Sequence, residues 1–341
     1  MRDLVLDFWR GIGILMVLAH HLVLFYYGWR GSEFLVDMFE RAGPLGVKFF
    51  FIVSGYIITR LMLAEEEKRG RLRVGDFYIR RIFRILPPYL LYLFGIFAFS
   101  ASGWIAVSNA DVLTAGAFLC NTALPCGWFV VHTWTLAIEM QFYLLWPVIF
   151  IALPARYRAP FLTALLALLF TLSAFGVLVE RGWIDNALSF ACIALGALAA
   201  VHPYARAALK DCGFLFIGAV ALAVGIVYSA GFADAAKIMY RTATPLLLAA
   251  LIFSTYRFPR LISSRPFAAV SGIGLVSYSL YLWQQAFVAP AGYYLSPSLL
   301  QYVQYVFLMA VFCLFSYYFV EKPFIRLGKK LLQKKELRAK V

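Results

Sequence analysis

The stretch RGIGILMVLAHHLVLFYY, which runs from Arg10 to Tyr27, contains an apolar run long enough to cross the hydrocarbon core of a bilayer. Similar runs recur along the whole chain of 341 residues, of which 63% are hydrophobic. Only 14% of the residues are charged, against about a quarter in ordinary soluble domains. Backbone polar groups inside a bilayer must bond to each other, so the sequence predicts an all-α, polytopic transmembrane helical bundle.

Ten apolar segments are candidate membrane spans. No cleavage site of small residues follows the first, so we expect it to be a permanent helix rather than a signal peptide. Segment 111–119, between the third and fourth spans, is a candidate for re-entering the membrane. We divide the chain into a transmembrane domain of residues 1–328 and a basic cytoplasmic tail of residues 329–341. The spans cover residues 6–27, 44–63, 85–103, 133–153, 161–180, 187–202, 213–231, 238–254, 267–289 and 299–320.

The positive charge of the chain follows the predicted topology. The net charge is +14, and the basic residues cluster after the second, fourth, sixth and eighth spans and at the C-terminal end. No Lys or Arg occurs between Arg84 and Arg156. This is the positive-inside pattern of ten helices with both termini in the cytoplasm. It explains the basicity without a nucleic-acid partner, and it predicts a multi-pass membrane protein.

Ionisable residues within the first span are candidates for function, because such groups are rare at membrane depth unless they have a role. Arg10 and His21 are eleven residues apart, which places them within about 20° of one helix face and about 16 Å apart along the axis. His20 points about 80° away from Arg10 and is assigned to packing. Asp7 can pair with Arg10. The alternatives are an interfacial anchor for Arg10 and a bond to a neighbouring helix for His21.

A carboxylate in the fourth span matches the depth of His21. Glu139 lies about six residues inside the outer end of its span, and His21 lies about as far inside its own. An imidazole and a carboxylate at one depth can form the base and orienting pair of general-base catalysis.

Three arginines precede the third span in DFYIRRIFRILPPY. Arg81 and Arg84 are one helical turn apart, with Arg80 beside them. Paired guanidinium groups suit phosphate binding. A plain positive-inside loop or binding of lipid headgroups would also explain basic residues here.

Two cysteines, Cys120 and Cys126, lie together in the predicted external loop CNTALPC. An oxidising compartment permits a disulfide there, and the sequence leaves that pairing open. No Cys/His cluster has the spacing of a zinc site, so we expect no metal.

These motifs together resemble acyltransferase family 3, the integral-membrane group that includes O-antigen acetylases, nodulation-factor acetylases and macrolide acyltransferases. The resemblance covers essentially the whole chain, in order. It implies ten core helices and transfer of an acyl group, usually acetyl from acetyl-CoA, to a hydroxyl of a carbohydrate or secondary metabolite. The blocks that carry it are LDFWRGIGILMVLAHH, GVKFFFIVSGYIITRLML, FYIRRIFRILPPYLL with its R-x-x-R signature, HTWTLAIEMQFYLLWP, SYSLYLW and FVEKPFIRL.

The resemblance implies roles for the residues already singled out. His21 would be the general base, with Glu139 and Arg10 also in the catalytic set. The donor phosphates would lie on Arg80, Arg81 and Arg84. Beside the resemblance, Ser54 and Tyr56 in the second span are candidate substrate-binding donors, with helix packing as the alternative for Ser54. Lys48 stands where family members often have an acidic or neutral polar residue; it could attract an anionic acceptor, with snorkelling as the alternative.

The chain departs from the family pattern after SYSLYLW. Many members have a histidine followed shortly by proline, whereas Gln284, Gln285 and Ala286 stand here, so we assign no site to these positions. Glu321 is predicted either to neutralise an arginine of the donor site or to form a helix-end salt bridge. The rival functional class is a transporter or flippase of a lipid-linked sugar or small metabolite. A non-catalytic partner in polysaccharide export is a third class.

Overall fold

The structure is a computed structural model that describes residues 3–25, 33–179, 184–204, 206–208, 211, 233–289 and 299–338. Within these ranges every regular element is helical, which confirms the predicted all-α class. The elements are α1 (Leu4–Phe25), α2 (Glu33–Arg69), α3 (Val74–Ala101), α4 (Asn109–Gly116), α5 (Trp128–Val131), α6 (Trp134–Ala152), α7 (Ala155–Val179), α8 (Ile184–Val201), α9 (Ala233–Ser254), a 3₁₀ turn (Thr255–Arg257), α10 (Pro259–Ile262), α11 (Arg265–Phe287), α12 (Leu299–Phe315), a π-helix (Ser316–Glu321) and α13 (Lys322–Arg338).

Eight helical segments in the described part of the chain are long and apolar enough to cross a membrane. They match the first to fifth and the eighth to tenth predicted spans. The sixth prediction corresponds to α8, whose apolar part, Asn186–Val201, is shorter. The seventh prediction, 213–231, lies outside the described residues. The segment predicted to re-enter the membrane at 111–119 contains the two-turn helix α4.

Several helices extend beyond their apolar segments. Helix α2 continues to Arg69, where Arg69 and Glu65 form an i,i+4 ion pair of 3.5 Å. Helix α3 begins at Val74, so the three arginines that precede the third predicted span lie on the same helix as that span. The charged end of α2 is helical because Glu, Lys and Arg are good helix formers, which hydropathy does not detect.

The chain divides into two compact units. The first unit comprises Met1–Gly13, Leu45–Leu72 and Ile138–Gly274. Glycines bring its helices into backbone contact: a Cβ on Gly55 would lie 2.0 Å from the Ile193 carbonyl oxygen, and one on Gly196 would lie 2.0 Å from that of Ile52. Small residues at such crossings are typical of membrane helix packing.

A buried arginine ties α7 to α2 in the first unit. Arg158 donates two hydrogen bonds to Glu66, of 2.6 and 2.8 Å, and its guanidinium stacks 3.6 Å from the Phe150 ring centroid. Arg158 is one of the basic residues that follow the fourth predicted span. It is only 4% exposed, so it also has a structural role.

The second unit comprises Ile14–Pro44, Arg73–Ala137 and Leu275–Val341. Helix α13 packs along α3, with Gly328 against the Phe83 side chain. Lys335 donates a 2.8 Å hydrogen bond to Asp76, a carboxylate that is 2% exposed. In the connection between α4 and α5, Cys120 and Cys126 form a disulfide with their Cα atoms 5.6 Å apart. The pairing that the sequence left open is therefore present.

Candidate active site

His21 lies on α1 in the second unit, among aromatic and amide side chains. Its ring meets the Trp128 indole edge-on, with the centroids 5.7 Å apart. The side chain of Gln284 lies beside it. The Nδ1 atom of His21 is buried and has no hydrogen bond to the described residues, so this nitrogen is not committed to a structural contact.

His20 has a different environment. Its ring lies against Gly43 of α2, where a Cβ would come within 2.6 Å of His20 Cγ. The glycine is therefore required for the histidine to fit. This contact agrees with the assignment of His20 to packing.

A third histidine, which the sequence did not single out, lies in the same unit. His132 is 3% exposed, its Nε2 is 3.1 Å from the Leu282 carbonyl oxygen, and its backbone N–H donates to Gln285 Oε1 at 3.2 Å. The Tyr281 hydroxyl donates to the His132 carbonyl oxygen at 2.9 Å. These bonds join the start of α6 to one side of α11.

Gln284 lies next to these residues on α11 but takes part in none of their hydrogen bonds. It is completely buried, and neither its Oε1 nor its Nε2 has a hydrogen-bond partner among the described residues. Buried amides are nearly always satisfied, because an unsatisfied one costs about 1–3 kcal/mol. A sequence search for ionisable groups could not find a neutral glutamine.

The position of Trp128 is set by the loop before it. Ser108 and Asp111 form a capping box at the start of α4, and Asp111 Oδ1 accepts a 2.7 Å hydrogen bond from the Gly127 N–H. Burial favours a higher pKa for Asp111, but the hydrogen bonds from Ser108 and Gly127 outweigh it and hold the pKa below its ordinary value. The charged carboxylate thus fixes the residue that precedes Trp128.

Glu139 lies in the first unit, where two hydroxyl groups hold its carboxylate. Ser54 donates to Oε1 at 2.6 Å, and Tyr143 donates to Oε2 at 3.0 Å. The structure therefore brings together two of the predicted site residues, Ser54 and Glu139. The pairing of Glu139 with His21 stays a prediction.

The other predicted residues of the first unit have identified neighbours. Tyr56 is 3% exposed, and its hydroxyl accepts a 3.1 Å hydrogen bond from Arg206. Lys48 is half-buried. Arg10 is 4.0 Å from the carboxylate of Asp7, which agrees with the predicted i,i+3 pair.

The three arginines proposed for the donor lie on the first part of α3. Arg80, Arg81 and Arg84 are all half-buried, and the Arg81 guanidinium lies 5.6 Å from the Phe77 ring centroid. Residues 81 and 84 are three apart on one helix, so their side chains leave the same face. Two neighbouring guanidinium groups in this arrangement are suited to a phosphorylated ligand.

Glu321 is buried inside a continuous helical run rather than at a helix end. Ser279 donates a 2.8 Å hydrogen bond to its carboxylate and lies 3.2 Å from the Ser316 hydroxyl. Residues five apart point about 140° away from each other in an α-helix. In the π-helix of Ser316–Glu321, i→i+5 bonding places residues five apart on one face of the helix. Ser316 and Glu321 therefore both face Ser279.

Among the described residues, no group of three or more His, Cys, Asp or Glu side chains could hold a metal ion. The candidate side chains described above carry imidazole, carboxylate, guanidinium, hydroxyl and amide groups. This set supports proton transfer and anion binding.

Comparison with known proteins adds the following findings. A family model described as an acyltransferase domain matches residues 3–321. The chain is 25% identical to a protein of Staphylococcus aureus (strain COL) that carries the name of an O-acetyltransferase; the alignment covers 96% of this chain and 58% of that protein. It is 24% identical to the peptidoglycan O-acetyltransferase of Listeria monocytogenes, over 95% of this chain and 56% of the relative.

A third relative, from Bacillus subtilis (strain 168), carries the name of a peptidoglycan O-acetyltransferase. It is 26% identical, with 93% of this chain and 54% of the relative aligned. The chain thus spans little more than half the length of these curated relatives. No solved structure matches the chain.

Proposed function

The chain belongs to acyltransferase family 3, and from this premise we propose that it is a membrane O-acyltransferase that transfers acetyl from acetyl-CoA to a hydroxyl of a cell-surface glycan. The relatives named for peptidoglycan O-acetylation support a carbohydrate acceptor. The observation that carries the mechanism is the buried, uncommitted Nδ1 of His21, in a span where an ionisable group without a role would be costly.

In the proposed reaction His21 acts as general base. It takes the proton of the acceptor hydroxyl while the acceptor oxygen forms a bond to the thioester carbonyl carbon. The carbon–sulfur bond then breaks, His21 returns the proton to the coenzyme A thiolate, and coenzyme A leaves as the thiol. Atoms and charges balance without a metal ion or a redox partner.

The donor is proposed to bind through its phosphates. Arg81 and Arg84, with Arg80 beside them, would hold these groups by charge-assisted hydrogen bonds. The positive-inside pattern supports a cytoplasmic location for this end of α3, and acetyl-CoA is a cytoplasmic metabolite. The pantetheine arm would then extend between helices toward His21.

Glu139 and Arg10 are proposed to support the charge on the reacting groups. The hydrogen bonds from Ser54 and Tyr143 stabilise the ionised form of Glu139, which would in turn stabilise the imidazolium formed by His21. Tyr56 and Lys48 are proposed to contact the acceptor. The membrane is proposed to be the bacterial inner membrane.

The test is acetyl transfer from labelled acetyl-CoA by the purified protein in lipid nanodiscs, with peptidoglycan fragments and other glycans as acceptors. We expect His21→Ala to abolish transfer. The matched control is His20→Ala, the neighbouring histidine that packs on Gly43, which should retain transfer. Full activity in His21→Ala would overturn the mechanism. A wild-type protein that moves a substrate across vesicles without transferring acetyl would establish the transporter alternative instead.

A further inference from the structure

The amide of Gln284 lies beside His21, and it has no hydrogen bond to the described residues. Gln284 is on α11, fully buried, and both ends of its amide lack a hydrogen-bond partner among the described residues. An amide placed this way destabilises the fold, because it gives up its water without compensation. Such a cost is typical of a group that is kept for a ligand.

The neighbouring residue gives a direct comparison. Gln285 is also buried, at 2% exposed, but its Oε1 accepts the His132 N–H. Two successive glutamines on one helix thus differ in role: the side chain of Gln285 holds α11 to the start of α6, and the side chain of Gln284 faces His21.

The surroundings keep this amide in place. On either side of it along α11, Leu282 and Gln285 bond to His132, and Tyr281 bonds to Thr135 at 2.9 Å. A donor held by rigid neighbours needs no reorganisation when charge develops during a reaction. It therefore stabilises that charge better than water would.

We propose that the Nε2–H of Gln284 donates a hydrogen bond to the thioester carbonyl oxygen of the acyl donor, and so forms an oxyanion site beside the base. The inference rests on the proposed acyltransferase function and adds a catalytic residue to it. As the acceptor oxygen bonds to the carbonyl carbon, negative charge moves onto the carbonyl oxygen. The amide N–H stabilises that charge by a hydrogen bond. The charge leaves the oxygen when the carbon–sulfur bond breaks and the carbonyl group forms again.

A neutral amide suits this role next to a general base. It donates without losing a proton, so it does not compete with His21 for the proton of the acceptor hydroxyl. It also adds no positive charge that would oppose protonation of the imidazole.

The experiment compares three variants by kinetics and thermal unfolding of the full chain in nanodiscs. Gln284→Leu removes the amide at similar volume, Gln284→His keeps an N–H donor, and Gln285→Leu removes the amide that has a structural bond. We expect Gln284→Leu to lower kcat by about 100-fold or more, the range seen when one oxyanion donor is lost, with KM for acetyl-CoA within threefold. Its Tm should be unchanged or higher, whereas Gln285→Leu should lower Tm.

Gln284→His should recover part of the lost kcat. A kcat for Gln284→Leu within threefold of wild type would overturn the inference and leave the proposed function intact. Loss of activity accompanied by a lower Tm, with no recovery in Gln284→His, would show a structural role and also overturn it. A wild-type protein without acetyl transfer to any acceptor would overturn the proposed function and this inference with it.

Discussion

The hydroxyl of Ser54 on α2 donates a 2.6 Å hydrogen bond to the carboxylate of Glu139 on α6, across 85 positions of the sequence. A second hydroxyl, from Tyr143, holds the other carboxylate oxygen at 3.0 Å. Two neutral hydroxyl donors thus satisfy both carboxylate oxygens of Glu139 within an apolar helix bundle.

Removal of one of these donors should weaken the reaction. Because a hydrogen bond to a charged group contributes about 1.5–3 kcal/mol, we expect Ser54→Ala to lower acetyl transfer by about tenfold or more. The control is Ser173→Ala, since Ser173 is fully buried and its hydroxyl has no hydrogen bond to the described residues. Initial rates of the two variants measure the difference. Equal rates would show that the charge on Glu139 does not contribute.

The arginines of α3 should distinguish donors that carry phosphates from donors that do not. Arg84→Ala should raise KM for acetyl-CoA by about tenfold or more, through loss of a charge-assisted contact. With S-acetylpantetheine, which carries no phosphate, KM should be the same as in wild type. Arg71→Ala, an exposed arginine between α2 and α3, serves as control. Equal effects on both donors would exclude phosphate binding by Arg84.

The capping box that positions Trp128 predicts a dependence of stability on pH. The pKa of Asp111 is lowered in the folded protein, so its contribution to stability is present above its unfolded pKa and is lost as the pH falls through the folded pKa. We expect Asp111→Asn to lower the stability by about 1 kcal/mol at pH 7.

Thermal unfolding of wild type and Asp111→Asn between pH 3 and pH 7 measures this effect. The difference in Tm should be constant at neutral pH and should shrink below about pH 4. A difference that is the same at all pH values would mean that the charge of Asp111 is not responsible.

The disulfide provides a test of topology. Cys120 and Cys126 close a short loop, so the pair Cys120→Ser and Cys126→Ser should reduce stability by about 2 kcal/mol. In intact cells a membrane-impermeant reductant should make both thiols accessible to a maleimide reagent, because the predicted topology places them outside. Labelling only after the cells are lysed would reverse the predicted orientation of this loop.

Composition and spacing alone predicted the eight helical segments that are long and apolar enough to cross a membrane, because an apolar segment of about 20 residues has few other stable locations. Of the other two predicted spans, the sixth is a shorter apolar helix and the seventh lies outside the described residues. The ends of the helices were not predictable in this way. The charged continuation of α2 to Arg69 follows from the high helix propensity of Glu, Lys and Arg, which hydropathy does not report. The start of α3 at Val74 does not follow from propensity, because Val74, Gly75 and Asp76 are weak helix formers.

The candidate site was predictable only in part. Charged groups such as Arg10, His21 and Glu139 stand out in an apolar sequence. Gln284 was named there only as a departure from the family pattern and given no site, because its unsatisfied buried amide is visible only in the structure. The contact of Ser54 with Glu139 and that of His132 with Leu282 join distant parts of the chain. Such pairings depend on tertiary packing, and one sequence does not encode them in any local pattern.

The π-helix between α12 and α13 sets the rotational phase of the C-terminal helix. If these six residues wound as an ordinary α-helix, the five steps from Ser316 to Glu321 would turn the chain about 140° further, and everything beyond them would turn as well. Gly328 would leave Phe83, and Lys335 would leave Asp76, although every side chain involved would be unchanged. The winding of this hexapeptide therefore fixes the direction of the side chains along α13.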